Sequence, residues 1–518
     1  MGTTTSCTCT SAMAMPRDME DFSALKSSDE PFFLPAHDGI VHHPEGGASY
    51  ICRKEFIKCV LRQLGLVPPN ARFPSKFESK SAAEASSSKT PNPRPDLPAF
   101  DSGISLGPNG SWTTVYVHIG AQPNNSPHTG TITVFAAAFV FARALQTTYR
   151  TLRERALAAG MDMSGWVDAV RAVVQLDIVD TAPDSSQTST IDGIVYQRSH
   201  RSTGSMDSFL PDYHALLSAL SAFVDGEVEY RVTYQDALMR KPAMRDALRA
   251  IILDRERIEA ELAPEKEHLA MRSACPVEGC ALADKHGIRN EYAVDAESTT
   301  VTFHCPEHGA HSVRLEDPDA RARLELNTPL RNLARTLVYM ADSVASRVPG
   351  QRPPQRIHTR VTGGDYQGTY QEQFLYRQLV FLNEEMGLPL KDVWPVFMYV
   401  PLIVDWSGAK LSKSYYVRKN AYAYLKPRGM EYLLEYRRMV EQGKDVRVLF
   451  RMVEDWFNEP KKLNSRVYSL EYVNLIFAAA EERRRTVMGE LKALGRKEYV
   501  RLAVALVLGY VVGKSCVA

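Results

Sequence analysis

Apolar positions first take up a regular spacing over 49–65. There Ile51, Phe56, Val60 and Leu64 recur on one helical face, and Gly65 with the Pro68-Pro69 pair marks the stop. Residues 1–48 carry little apolar pattern, and 74–98 are rich in Ser, Lys and Pro; the first reads as a loosely attached tail, the second as a linker or surface insertion. Pattern resumes near 112. Trp112–Ile119 alternates and predicts a strand, Thr133–Leu145 an apolar helix, about Tyr149–Ala159 a further helix, and Ala172–Val179 a second strand. Strand, helix and strand at this spacing predict a βαβ unit and a parallel sheet. Residues 184–208 read as a polar loop. Residues 212–270 read as mainly helical with one short strand near Glu227–Val232, the stretch after 320 as mixed, and the stretch after 419 as strongly helical.

The 518 residues hold 62 Lys and Arg against 61 Asp and Glu, a net charge of +1. That balance excludes capture of nucleic acid by bulk charge; a basic footprint must be local. It is local: 418–501 holds 19 basic and 12 acidic residues, a net of +7. With 44% apolar and 24% charged residues, neither wholesale disorder nor a polytopic membrane protein is expected. The apolar run Leu502–Gly513 is 12 residues long, short of a membrane span. No secretory leader is visible, and Met1-Gly2 with Ser6 fits only the loose myristoylation pattern, for which an unmodified tail is the better reading. Eight cysteines are too few for a disulfide scaffold. Reduced thiols without an export signal point to the cytoplasm.

Five constellations carry chemistry. The loop Gly120-Ala-Gln122-Pro123-Asn-Asn-Ser126-Pro127-His128-Thr129-Gly130-Thr131 joins the first strand to a helix, whose start favours anionic oxygens. His118, in Val117-His118-Ile119-Gly120, lies on the strand and is a decoy; His128 is the candidate. Lys410-Leu411-Ser412-Lys413-Ser414, after Gly408, places two lysines where they can neutralise a triphosphate, although a solvated basic turn looks the same. Cys275-Pro-Val-Glu-Gly-Cys280 and Cys305-Pro-Glu-His308 form two knuckles whose soft ligands suit tetrahedral zinc, with His304 or His311 as substitutes for His308. In Gly363-Gly364-Asp365-Tyr366 the glycines admit a close ligand and Asp365 accepts from a hydroxyl or an ammonium group. Asp177, Asp180 and Asp184 lie around the end of the second strand; they could bind a cationic amino acid or pair with lysines, and for Asp184 a solvated acidic loop is an equal alternative.

Taken together, Pro127-His128-Thr129-Gly130 and the Lys410–Ser414 segment resemble the HIGH and KMSKS signatures of class I aminoacyl-tRNA synthetases, most nearly the class I lysyl-tRNA synthetases. Gly120, Pro123, His128 and Gly130 hold the family's first-motif positions without a gap. The resemblance runs on through Tyr213–Leu262, the paired Cys-Pro knuckles and Tyr366 to Tyr436, and leaves 1–105 and about the last 70 residues uncovered. It implies ATP-dependent formation of an aminoacyl-adenylate and transfer to tRNA. His128, Gly130, Thr131, Lys410, Ser412 and Lys413 would serve the phosphates, Mg²⁺ would accompany ATP, and Zn²⁺ would be structural. Gly120, Gln122, Pro123, Ser126, Asp177, Asp180, Thr328, Gly363, Gly364, Asp365, Tyr366 and Tyr399 would face ATP or the amino acid. The family default is lysine. Yet where the family has Thr, Trp and His, this chain has Gln122, Thr328 and Tyr366, while Gly120 and Tyr399 match. Only 104 residues follow Ser414, less than the family's anticodon-gripping domain needs. Transfer to a small amine or a protein is therefore the alternative activity, and a non-catalytic paralogue the third.

The expected fold class is α/β: a Rossmann-type nucleotide-binding catalytic domain with a parallel sheet, an inserted helical and zinc-binding module, and a C-terminal helical region. The expected divisions are 1–48; 49–105; 106–210, the first half of the catalytic domain; 211–320, the insertion with its zinc module at 274–312; 321–418, the second half; and 419–518. A tRNA contact would fall in the basic C-terminal region; no membrane contact is expected.

Overall fold

The structure is a computed structural model and describes residues 34–35, 41–42, 56–68, 111–262, 268–349, 351, 353–367, 372–389, 393–411, 421–463 and 467–487. The lipidation and Leu502–Gly513 readings fall outside those residues, as do Ser412 and Lys413.

Helix α1 (Phe56–Gln63) buries Phe56 and Val60, which its spacing predicts, and also Ile57, Cys59 and Leu61. Strand β1 (Trp112–Ala121) leads into helix α2 (Thr129–Ala158), and β2 (Ala169–Ile178) follows. The pattern predicts a break in this helix near 146–148, but α2 runs straight through. Gln146 and Thr147 are polar there because both are hydrogen-bonded, Gln146 beyond the helix and Thr147 within it. Gln146 accepts from the Ala172 N–H at 2.6 Å and donates to the Glu227 carbonyl, and Thr147 bonds back to the Arg143 carbonyl at 2.9 Å. The helix stops where Gly160 takes a φ of +65°.

Residues 184–208, expected as loop, instead form a hairpin, β3 (Pro183–Ile191) and β4 (Ile194–Ser199), followed by a single turn of helix. Its two-residue turn is Asp192-Gly193, both at positive φ, which is what a tight hairpin requires. Helix α3 (Leu210–Phe223), β5 (Glu229–Tyr234) and α4 (Pro242–Leu253) come next. A run of short strands then follows: β6 (Met271–Ser273), β7 (Ala283–Asp284), β8 (Glu291–Val294), β9 (Thr299–Cys305), β10 (Gly309–Arg314) and β11 (Leu324–Leu326). Helix α5 (Thr328–Ala345), β12 (Arg356–Gly363), α6 (Arg377–Glu385), β13 (Val396–Val400) and β14 (Leu402–Val404) precede α7 (Arg447–Asn458) and β15 (Val467–Ser469). A last helix occupies 470–487.

Five strands form one sheet in the order β13-β12-β1-β2-β5, every neighbouring pair parallel. Numbered by their order in the chain, that is 5-4-1-2-3. This α/β arrangement is compatible with a Rossmann-like fold, and the strand order reverses between β1 and β12. His118 points from β1 towards α5, where its ring stacks on Tyr339 at 4.0 Å. Alternation then sends Val115, Val117 and Ile119, all fully buried, to the opposite face, under α2. Helices therefore cover both faces, as a parallel sheet requires. Among the described residues α2 is the one helix long and apolar enough to cross a membrane, but 67% of its most apolar window is buried in this core.

The insertion is tied to that body through strands. β4 pairs with β7, and β6 pairs with β11, which feeds α5 directly. β8, β9 and β10 form an antiparallel sheet beyond them.

Candidate functional site

A cleft of about 200 Å³ opens at the carboxyl ends of β1 and β12, at the point of reversal. Its lining includes Gly120, His128, Gly130, Thr131, Gly363, Asp365, Tyr366 and Lys410. Eight expected site residues, spread over about 290 positions of chain, thus share one concavity.

His128 is the N-cap of α2, with extended backbone (φ −88°, ψ 167°). Its Nδ1 accepts from the Thr131 N–H at 3.2 Å, so in the neutral ring the proton sits on Nε2. Gly130 has a steric reason to be glycine: a Cβ there would lie 3.0 Å from the His128 ring. A Cβ on Gly363 would lie 2.4 Å from an Asp365 carboxylate oxygen. Lys410 reaches the cleft from a tight turn after β14, closed by Gly408 at a φ of +81°. Its Nζ meets Asp365 Oδ2 at 2.5 Å, with the two side chains 49% and 30% exposed. A pair that open to water costs little to separate.

The loop before α2 is held from far along the chain. The Tyr436 N–H donates to the Pro127 carbonyl at 2.7 Å, the Arg437 N–H to Ser126 Oγ at 3.1 Å, and Thr129 Oγ1 to the Leu433 carbonyl at 2.6 Å. Ser126 and Pro123 are buried, and neither is in the cleft lining.

Two aspartates expected near a ligand are engaged inside the protein instead. Asp177, buried on β2, accepts from Tyr339 at 3.1 Å, from Arg335 at 3.3 Å and from Thr233 at 3.0 Å, and contacts His118 Nδ1 at 3.2 Å. Burial raises its pKa, but His118 and Arg335 outweigh that, and the carboxyl stays well below its usual range. Asp180 is bound through both oxygens by Arg201. Asp184 accepts from Ser186 and Thr203. The cause is long-range pairing: Tyr339 and Arg335 come from α5, about 160 residues away. His118 continues the network, its Nε2 2.8 Å from His358 Nδ1, and His358 Nε2 lies 2.8 Å from Asp342. Burial pushes both imidazoles down, His358 to about 4.

Gln122 and Thr328 line a second, larger cavity of about 520 Å³ between the hairpin, the short strands and the start of α5. Tyr399 is buried on β13, and Gly364 packs on the Val400 carbonyl; neither is in the lining of the two cavities.

Cys275, Cys280, Cys305 and His308 converge, with one ligand atom from each lying within 4.8 Å of all the others. Cys280 Sγ and Cys305 Sγ are 3.6 Å apart, and His308 Nδ1 is 3.6 Å from the sulfurs of both Cys275 and Cys305. Thiolates at about 2.3 Å and an imidazole at about 2.0 Å around a tetrahedral zinc would sit roughly 3.5–3.8 Å apart. The cluster could therefore bind a metal ion and is consistent with structural zinc. Burial pushes the Cys280 thiol up to about 12, so a bound cation must displace its proton. Ile194, Tyr196 and Leu282 wall the cluster off. His304 pairs instead with Glu291, and His311 with the Ser273 carbonyl.

Sequence reasoning does not single out Arg335 and Arg360. Their guanidinium groups lie 4.0 and 3.7 Å from where a Cβ on Gly120 would be, at the edge of the cleft. No local motif marks them; only pairing of β12 and packing of α5 bring them there. No protein-family model matches the chain, and no curated protein matches it.

Proposed function

We propose that the chain activates a carboxylic acid by adenylation, and that the acid is an amino acid, with lysine the one implied by the resemblance to class I lysyl-tRNA synthetases. The reading rests on one observation. His128 and Gly130 at the start of α2, and Lys410 about 280 residues later, line a single cleft where the strand order reverses.

In this reading the substrate carboxylate attacks the α-phosphorus of ATP, forming the acyl-adenylate and releasing pyrophosphate. The chain supplies no nucleophile; it aligns the reactants and stabilises charge. His128 Nε2 and the first N–H groups of α2 hold phosphate oxygens. Lys410 leaves Asp365 and turns to the triphosphate, and Asp365 is then available to a ribose hydroxyl or an ammonium group. Lys413 serves as the second clamp. Mg²⁺ accompanies ATP. Zinc at Cys275, Cys280, Cys305 and His308 is structural, because all four ligands come from the protein. Transfer to tRNA follows through the basic region 418–501.

Amino-acid-dependent ATP–pyrophosphate exchange, run over all twenty amino acids, tests the first step. At least one should support exchange, and Lys410→Ala should lower the rate about 10²–10³-fold. Exchange unchanged in that variant would sink the assignment. Charging of total tRNA by the isolated chain then separates tRNA transfer from transfer to a small amine. Elemental analysis should find about one zinc per chain, and Cys305→Ser should lower both the zinc content and the melting temperature.

A further inference from the structure

The second cavity suits a negatively charged guest. Its 520 Å³ is ample for a small metabolite. Among the described residues its lining includes Arg272, Lys285 and Arg331 and holds no Asp or Glu. The Arg272 side chain is only 4% exposed. It donates to the Thr181 and Lys285 carbonyls at 3.4 and 3.3 Å, and its Nε faces Glu325 at 3.6 Å, too far for a hydrogen bond. Glu325 is equally buried and outside the lining, so this pair leaves Lys285 and Arg331 as the net charge of the wall. Arg331 donates to the Leu326 carbonyl and to Thr328 Oγ1, both at 3.1 Å, which holds its guanidinium in place.

A second observation points to a ligand. Gln197, on β4, is fully buried and lines the cavity, and neither its Oε1 nor its Nε2 has a hydrogen-bond partner. A buried amide left unbonded is destabilising, and a polar guest would recover that loss. The cavity also adjoins the cleft through the chain itself. Gly120 lines the cleft, and Gln122, two residues on, lines the cavity.

We propose that this cavity binds a carboxylate-bearing small molecule, held by Lys285, Arg331 and the Gln197 amide. Resting on the adenylation reading, the carboxylate is the distal group of the acid being activated, so the substrate is dicarboxylic, in place of the lysine that the resemblance implies. A lysine ammonium would face the net positive charge of Lys285 and Arg331, with no counter-charge in the described lining.

The test is direct binding of L-glutamate, L-glutamine and L-lysine to the full chain by calorimetry, at fixed ionic strength and without ATP. Glutamate should bind saturably, glutamine about tenfold or more weakly, and lysine not at all. Lys285→Gln, at a half-buried position, and Gln197→Leu, which removes an unbonded amide, should each weaken glutamate about tenfold with the fold intact by circular dichroism. Lysine binding as tightly as glutamate, or glutamate binding unaffected by both variants, overturns the proposal. The exchange assay separates the two layers. Exchange with lysine alone, without glutamate binding, keeps adenylation and removes this site. Glutamate binding lost in the variants, with no exchange for any amino acid, keeps the site and removes adenylation.

Discussion

His118 and His128 lie ten residues apart on one strand–loop–helix unit, and they do opposite things. His118 sits in the middle of β1, 1% exposed, between Asp177, His358 and Tyr339. His128 sits past the strand end, at the start of α2 and on the wall of an open cleft. The same two strands, β1 and β12, thus carry a sealed polar network along their middles and a solvent-facing constellation at their ends. In the sealed region every charge must be matched inside the protein, so the network carries stability. At the ends water competes for every group, so pairs such as Lys410–Asp365 can exchange partners.

The largest effect should come from breaking the sealed side. Asp177→Ala strands His118, Arg335 and Tyr339 together and should cost about 3–5 kcal/mol in urea unfolding. Acid attacks the same region. Burial lowers the His358 pKa from the ordinary 6.5 to about 4. Between those values the unfolded chain takes up the proton first, so stability is full above pH 6.5 and falls as the pH drops towards 4. The loss should approach ~3 kcal/mol, read from melting temperature against pH; a flat profile over that window would remove His358 as its source. Gly130→Ala should be smaller, about 1 kcal/mol or less in stability, because the His128 ring must give way by a few tenths of an ångström; its clearer readout is slower exchange. Smallest in stability is Lys410→Ala, within ~1 kcal/mol of the parent, even though exchange collapses. If Lys410→Ala destabilised as strongly as Asp177→Ala, the division between the two regions would fail.

Much of this was legible because the signals are local. The Cys275–Cys280 and Cys305–His308 knuckles announce themselves by spacing, and the strand–loop–helix around His128 by its pattern. The β3–β4 hairpin was also legible, since Asp192-Gly193 between Ile191 and Ile194 is a strong turn signal, but the polar residues of 184–190 outweigh it on a first reading. The continuity of α2 through Gln146 and Thr147 is not legible, because the partners of Gln146 lie beyond the helix. The fate of Asp177 is hidden for the same reason. An acidic strand end looks the same whether it faces a ligand or an arginine 158 residues downstream. The cavity around Gln197 and Arg272 is hidden as well, being assembled from segments that only the fold brings together.

Thr129 and Leu433, joined by a hydrogen bond, are 304 residues apart. That separation has a meaning in time. A ribosome adding about 5–20 residues per second leaves the loop before α2 without its clamp for roughly 15–60 s. Until then the wall around His128 has been made but not fastened, and the cleft is among the last parts of the molecule to be secured.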